Sequence, residues 1–171
     1  MKLLVAWATR QGSTRASAIV LARALSELPG IEAEERDAAR VGTRDLGAYD
    51  GFVVGSSIVA GMWKGSAKRL VAKLGKAGKP LAVFVSAGGA MTGKKPGSAP
   101  DAPPEGTIAE RQAQAVSLYL DPVLAKLGVE PLAKTAFGGR MTMFGKLMFD
   151  SWDAAPVEAW APDLAKAFGA K

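Results

Sequence analysis

The chain has 171 residues and contains neither Cys nor His, which excludes disulfide scaffolds, thiolate catalysis, Ser-His-Asp triads and metal sites with His ligands. At 49% hydrophobic and 22% charged, it has the composition of one globular domain with a sizeable core, and any hard chemistry falls to a cofactor. The formal charge of +6 suits nucleic acid, an anionic membrane surface, an acidic substrate or merely a solvated basic surface; Lys and Arg are spread without a dense run, and no aromatics interleave with them as in single-strand binders.

The N-terminus enters a strand directly, with no cationic segment and cleavage site before it. No apolar run approaches the roughly 20 residues of a membrane span. A single domain over residues 1–171 in the cytoplasm is the expectation.

The first strand is Lys2–Ala8, with the apolar run Leu3-Leu4-Val5-Ala6-Trp7. The turn Thr9-Arg10-Gln11-Gly12-Ser13-Thr14 leads into a helix that runs to about Leu28, where Pro29-Gly30 stops it. A strand, a hydroxyl- and glycine-bearing turn and a helix start make an anion cradle, because the first helical N–H groups lack partners and the helix dipole favours negative charge. Thr9, Ser13 and Thr14 add hydroxyls, Arg10 adds charge and Gly12 permits close approach. The same turn also reads as an ordinary connection with Ser13 or Thr14 as helix cap. It carries neither the dinucleotide glycine fingerprint nor the Walker pattern, so a single phosphate, as in FMN, is the better match.

Ile31–Arg36 is polar enough for a sheet edge, and Asp37–Ala48 is a connector with a helical turn near Asp45-Leu46. Asp50–Ser57 is a strand, apolar over Gly51–Gly55 as for one covered on both faces. It ends in the small-residue loop from Ser56 to Gly65, and a helix over Ser66–Leu74 follows. Pro80–Ser86 is a further buried strand, ending in Ala87-Gly88-Gly89-Ala90. Three buried strands thus each end in a permissive loop. In a parallel sheet those ends share one edge, where ligands bind at the point of strand-order reversal.

Met91–Gly106, with Lys94-Lys95-Pro96-Gly97, Pro100, Pro103 and Pro104, is a long loop of the kind that is functional or mobile. Thr107–Leu127 is helical, opened by a Thr107/Glu110 capping box and split by Pro122. The fifth strand is Val129–Phe137. After Gly138-Gly139-Arg140, the apolar stretch Met141–Phe149 reads as a core-packing helix, or else as an exposed apolar face that touches a membrane, quinone or partner. On a helix, Phe144, Leu147 and Met148 would share one face. A last helix covers Pro156–Phe168.

The alternation resembles a flavodoxin-like fold, a doubly wound α/β domain with a five-stranded parallel sheet in the order 2-1-3-4-5 and helices on both faces. Thr9-x-x-Gly12-x-Thr14 resembles that family's FMN phosphate loop. More closely, Ala8-Thr9-Arg10-Gln11-Gly12-Ser13-Thr14-Arg15 and Gly55-Ser56-Ser57-Ile58-x-x-Gly61 are similar to loops of the menaquinone-dependent protoporphyrinogen dehydrogenases. Position 8 is Ala where that family often has Ser, the loop after the fourth strand differs, and a basic chain is a poor fit to an acidic electron carrier.

The resemblance implies FMN as cofactor, with its phosphate held by Thr9, Arg10, Gln11, Gly12, Ser13 and Thr14. Ser56, Ser57, Ile58 and Gly61 would line the ring and ribityl chain. Trp63 would stack on the isoalloxazine, or pack as a loop residue on the following helix. Ser86, Ala87, Gly88 and Gly89 would approach the pyrimidine end with backbone donors. It implies no catalytic side chain and no metal. The function implied is an FMN-dependent oxidoreductase, passing electrons from a small or porphyrinogen-like donor to a quinone or a redox-protein acceptor. A carrier without a substrate pocket is the alternative. Peripheral contact with the inner face of the cell membrane is expected, and nucleic acid is not.

Overall fold

The computed structural model describes residues 1–95, 98, 99 and 101–170; Pro96, Gly97 and Pro100 of the long loop lie outside the described residues. Strand β1 (Lys2–Ala8) leads to α1 (Ser13–Ser26) and β2 (Glu32–Asp37). A 3-10 turn over Ala38–Arg40 and α2 (Asp45–Ala48) connect to β3 (Gly51–Val59), β4 (Met62–Trp63) and α3 (Gly65–Lys76). Then come β5 (Leu81–Ser86), α4 (Gly88–Met91), α5 (Ile108–Ala115), a π-helical turn at Val116–Leu120, α6 (Asp121–Leu127), β6 (Ala133–Phe137), β7 (Arg140–Met143), β8 (Lys146–Asp150) and α7 (Ala155–Ala167).

The five long strands pair in parallel in the order β2-β1-β3-β5-β6. This is the expected 2-1-3-4-5 order of a flavodoxin-like fold once the two-residue β4, which pairs antiparallel with the end of β3, is set aside. The alternation along β1 divides the core. Leu3 and Val5 face α1 and α7 with Val53, Phe84 and Phe137. Leu4 and Ala6 face α3 and the α5–α6 segment with Phe52, Val54 and Val83. Strands covered on both faces need apolar residues at every position, and β5 is buried throughout. Each fully buried Phe or Leu contributes about 1.5–3 kcal/mol to holding the helices on. Among the described residues, strand β2 pairs only with β1, and its Glu32 and Glu34 stay exposed, as at an edge.

Close packing also dictates a small residue. Gly55 pairs with Phe84, and a Cβ there would lie 2.1 Å from the Phe84 ring. That ring is fully buried between Phe137 and Trp160 and has no room to yield.

Some expected boundaries shift. The fifth sheet strand begins at Ala133, not Val129. Gly128, at φ 64°, ends α6, and the Val129 N–H turns back to the Leu124 carbonyl. The Thr107/Glu110 capping box forms, and Pro122 stands in the first turn of α6 where its missing N–H does no harm.

The larger correction concerns Met141–Phe149, which is not a helix. Strands β7 and β8 form an antiparallel hairpin through Phe144-Gly145, at φ 49° and 74°. Left-handed values at both central residues define the tight turn that matches strand twist. Met143, Phe144, Leu147 and Met148 are left exposed, Phe144 at 97%. Among the described residues no helix is long and apolar enough to cross a membrane.

Candidate functional site

The turn between β1 and α1 leaves a helix start open. Gly12 occupies the cap position at φ 93°, which glycine tolerates without strain, and no side chain among the described residues caps α1. Neither Ser13 nor Thr14 is the cap; they are the first two helical residues. The Gly12 N–H donates to Thr9 Oγ1 at 2.9 Å, which draws the turn tight. The N–H groups of the first helical turn have no carbonyl within the helix, so an anion would find donors and the dipole together. Arg10 is exposed beside them and makes no ion pair among the described residues.

A cleft of about 350 Å³ opens at this edge. One wall comes from the strand ends and contains Thr9, Arg10, Gln11, Ser13, Ser57, Ile58, Ser86 and Gly88 of the expected set, with Val59. Ser57 is 9% exposed and its hydroxyl is the one buried side-chain polar atom without a partner among the described residues. A buried hydroxyl left unpaired costs about 1–3 kcal/mol, and a ligand polar atom in the cleft would remove that cost.

Other expected residues support this wall from behind. Thr14 is fully buried and donates to Ser86 Oγ at 3.0 Å, so it ties α1 to β5 and does not face the cleft. Ser56 accepts from the Lys64 N–H at 2.9 Å and donates to the Ser57 carbonyl, fixing the β3–β4 turn. Gly61 forms that turn with Ala60, at φ 75° and 49°. The Ala87 N–H donates to the Phe137 carbonyl at 2.9 Å. Gly89 opens onto a neighbouring cavity of about 900 Å³ instead.

Of the two expected placements of Trp63, on the ring or on the following helix, the structure has the second. Trp63 is 9% exposed, packs among Ala67 and Leu70, and its indole N–H donates to the Tyr119 carbonyl at 2.6 Å. Its side chain lies in the buried core and is not among the described residues that line the cleft, although Ile58, opposite it in the β3–β4 hairpin, is.

The opposite wall is the β7–β8 hairpin: Arg140, Met141, Thr142, Met143, Phe144 and Phe149, with Gly139 at its base. It is latched to the cradle. The Gln11 amide donates to the Thr142 carbonyl at 2.9 Å and accepts from the Thr142 N–H at 2.6 Å. The Arg140 N–H donates to Ser13 Oγ at 2.8 Å. Gly88 admits the hairpin: a Cβ there would lie 2.3 Å from the Phe149 ring and 2.8 Å from the Gly139 carbonyl oxygen. Arg140 also holds Asp150 across the hairpin at 2.6 Å, and that hydrogen bond keeps the Asp150 carboxyl below its ordinary range. The signal for this wall was Phe144-Gly145, an X-Gly pair between short apolar runs.

No protein-family model matches the chain, and no curated protein matches it. Solved structures that share its fold include flavodoxins. A short-chain flavodoxin associated with a bacterial microcompartment matches at 15% identity and TM-score 0.60, covering 99% of each chain. Oxidised flavodoxin 1 from Bacillus cereus matches at 18% identity and TM-score 0.55, covering 97% of this chain and 98% of that one. The rubredoxin oxygen:oxidoreductase from Desulfovibrio gigas matches 99% of this chain with 36% of its own, at 15% identity and TM-score 0.60. The chain therefore has the flavodoxin-like α/β fold.

Proposed function

We propose that this chain binds FMN in the cleft and serves as an electron-transfer flavoprotein. More finely, it is an oxidoreductase that passes electrons from a small or porphyrinogen-like donor to a quinone or similar acceptor. The observation that carries the reading is an uncapped helix start and an unpartnered buried hydroxyl, Ser57, on one cleft at the carboxyl edge of the sheet. When bound, FMN supplies reversible electron transfer. The amides of the 9–14 turn and Arg10 would hold its phosphate, the Ser57 hydroxyl and Ile58 would contact the ring system, and Ser86 and Gly88 would meet its polar end. Backbone donors at that end would stabilise added negative charge without any acid–base side chain, which accords with a chain that has no His.

Titration with FMN and riboflavin tests this. FMN is expected to bind at least about tenfold more tightly, since several charge-assisted hydrogen bonds are at stake; equal affinities would remove the phosphate from the cradle. The carrier alternative is favoured by the flavodoxin-like neighbours. Reduction of a soluble quinone by the pre-reduced holoprotein, with no protein partner present, supports the oxidoreductase, and its absence supports the carrier. The exposed apolar tip of the hairpin, beside Lys146, supports peripheral membrane contact. Flotation with anionic liposomes at low salt tests that contact.

A further inference from the structure

No run of Lys and Arg is dense, yet the net charge of this chain is concentrated in one segment. Of its 22 Lys and Arg, eight lie between Arg40 and Lys79, with only two of its 16 Asp and Glu. The rest of the chain therefore carries fourteen of each sign, and the whole net charge of +6 resides in that one segment. The fold gathers it onto one face. Helix α3 buries Ala67, Leu70, Val71 and Leu74 against the sheet, so its cations project outward and no acid stands among them. The 3-10 turn and the segment after it lie alongside, tied on by the hydrogen bond from Lys73 Nζ to Thr43 Oγ1 at 3.2 Å. Arg40, Arg44, Lys64, Lys68, Arg69 and Lys76 are all exposed, and none makes an ion pair among the described residues. The two acids of the segment are engaged elsewhere: Asp45 with Arg36 and the Gly42 N–H, and Asp50 with the Lys2 N–H.

This face begins at the cleft. Val59 and Ile58 line the cleft and pair with Met62 and Trp63, and Lys64 is anchored to Ser56 directly after them. Met62 is 68% exposed and is the one large apolar side chain exposed in this segment. An exposed apolar residue paired with a strand end that lines the cleft, with cations that make no ion pair among the described residues beside it, has the layout of a transient protein interface steered by charge.

We propose that the α3 face is the docking surface for an acidic electron-transfer protein, whose redox centre would be brought to the cleft beside Met62. The inference rests on the flavin reading of the cleft and names the partner class of that site. An anionic membrane is the poorer occupant, since the exposed apolar residues it would bury cluster on the β7–β8 hairpin and not among these cations. Nucleic acid is poorer too, because no exposed aromatic interleaves with the cations.

The test is binding without electron flow, so that it succeeds or fails independently of the cofactor. The full chain, with and without added FMN, is titrated into a fluorescently labelled plant-type ferredoxin as acidic probe, with basic cytochrome c as the opposite control. Binding of ferredoxin but not cytochrome c is expected. It should weaken by at least about tenfold as salt rises from about 0.01 M to about 1 M, which shortens the screening length from about 30 Å to about 3 Å. The variant Lys64→Glu/Lys68→Glu/Arg69→Glu should lose at least about tenfold in affinity. An equal charge change on other elements, Arg23→Glu/Lys126→Glu/Lys166→Glu, should lose far less. Equal losses in the two variants, no ferredoxin binding at low salt, or capture by anionic vesicles with no affinity for ferredoxin would each overturn the proposal. Ferredoxin binding by a chain that fails to take up FMN would uphold the docking face and sink the flavin reading instead.

Discussion

The two walls of the cleft are built by opposite means. One is made of loops that end buried parallel strands. The covering helices and the ladders on both sides fix each position, and even its polar residues are cross-tied, as Thr14 is to Ser86 and Ser56 to Lys64. The other is a two-stranded hairpin whose outer side chains face solvent, held at its base by Gly88, Gly138 and Gly139 and across the cleft by Gln11 and Ser13. An isolated hairpin is marginal in water, so the second wall depends on the first for its position. On the proposed reading of the cleft, the pre-organised wall would bind the cofactor and the weakly held wall would cover it.

The greatest effect is expected from a change that strikes the rigid wall. Gly55→Val would drive a side chain into the Phe84 ring in a site with no void. Overpacking of this kind costs about 1–3 kcal/mol or more, and thermal unfolding should shift downward as a single transition. The matching change in the hairpin, Gly145→Ala, strains a residue at φ 74° with nothing within 4 Å of the new methyl. About 1 kcal/mol is expected there. It should show as faster amide exchange confined to residues 140–150, with the global melting temperature nearly unchanged. If both variants lower global stability equally, the hairpin belongs to the same cooperative unit and the contrast between the walls is lost.

These walls also differ in how readily the sequence discloses them. Strands β1, β3 and β5, the open turn at Gly12 and the order of the sheet follow from continuous apolar runs ending in small polar loops, a local pattern with a fixed topological consequence. The hairpin followed from a weaker signal. Met141–Phe149 is apolar nearly throughout, and its period of two is blurred because both faces carry large residues, so length and softness suggested a helix. The site was legible to the same degree. Ser57, Ile58, Ser86 and Gly88 reach the cleft because strand ends must converge there, whereas the direction of Trp63 depends on the turn at Ala60-Gly61, which brings it beside Ile58.

A smaller effect should follow from releasing the latch alone. Gln11→Ala removes two hydrogen bonds to Thr142, both exposed, with an expected cost of about 1–2 kcal/mol to closure of the hairpin. The rate of FMN entry should rise as the hairpin opens more often, with little change in melting temperature. Stopped-flow mixing with FMN measures this, and an unchanged or slower entry rate would mean that the hairpin does not cover the path. Acid should loosen the same element. The folded-state pKa of Asp150 is lowered by Arg140, so its contribution is fully present above the ordinary value of 3.8 and is lost as pH falls below that through the folded value. The arginine is largely exposed, so the effect should be local and salt-sensitive. It is measured as loss of hairpin exchange protection below that pH, which Asp150→Asn should reproduce at neutral pH.

The smallest effect on the cofactor is expected from Trp63→Phe, although an aromatic in that loop invites the opposite expectation. The structure engages the indole in the core: it donates to the Tyr119 carbonyl and is buried in the cluster that holds Ala67 and Leu70. Phe keeps the ring contacts and removes the N–H, leaving the Tyr119 carbonyl without that donor and costing about 1 kcal/mol of global stability. FMN affinity should stay within about twofold, because the side chain is buried, donates to Tyr119 and is not among the residues that line the cleft. Four Trp residues share the chain, so quenching is read as the difference between parent and variant. If the residue is remote from the ring plane, the variant should retain most of the FMN-dependent quench. A collapse of that quench together with weakened binding would show that the β3–β4 turn rearranges when the cleft is filled, and that the rigid wall is less rigid than its hydrogen bonds imply.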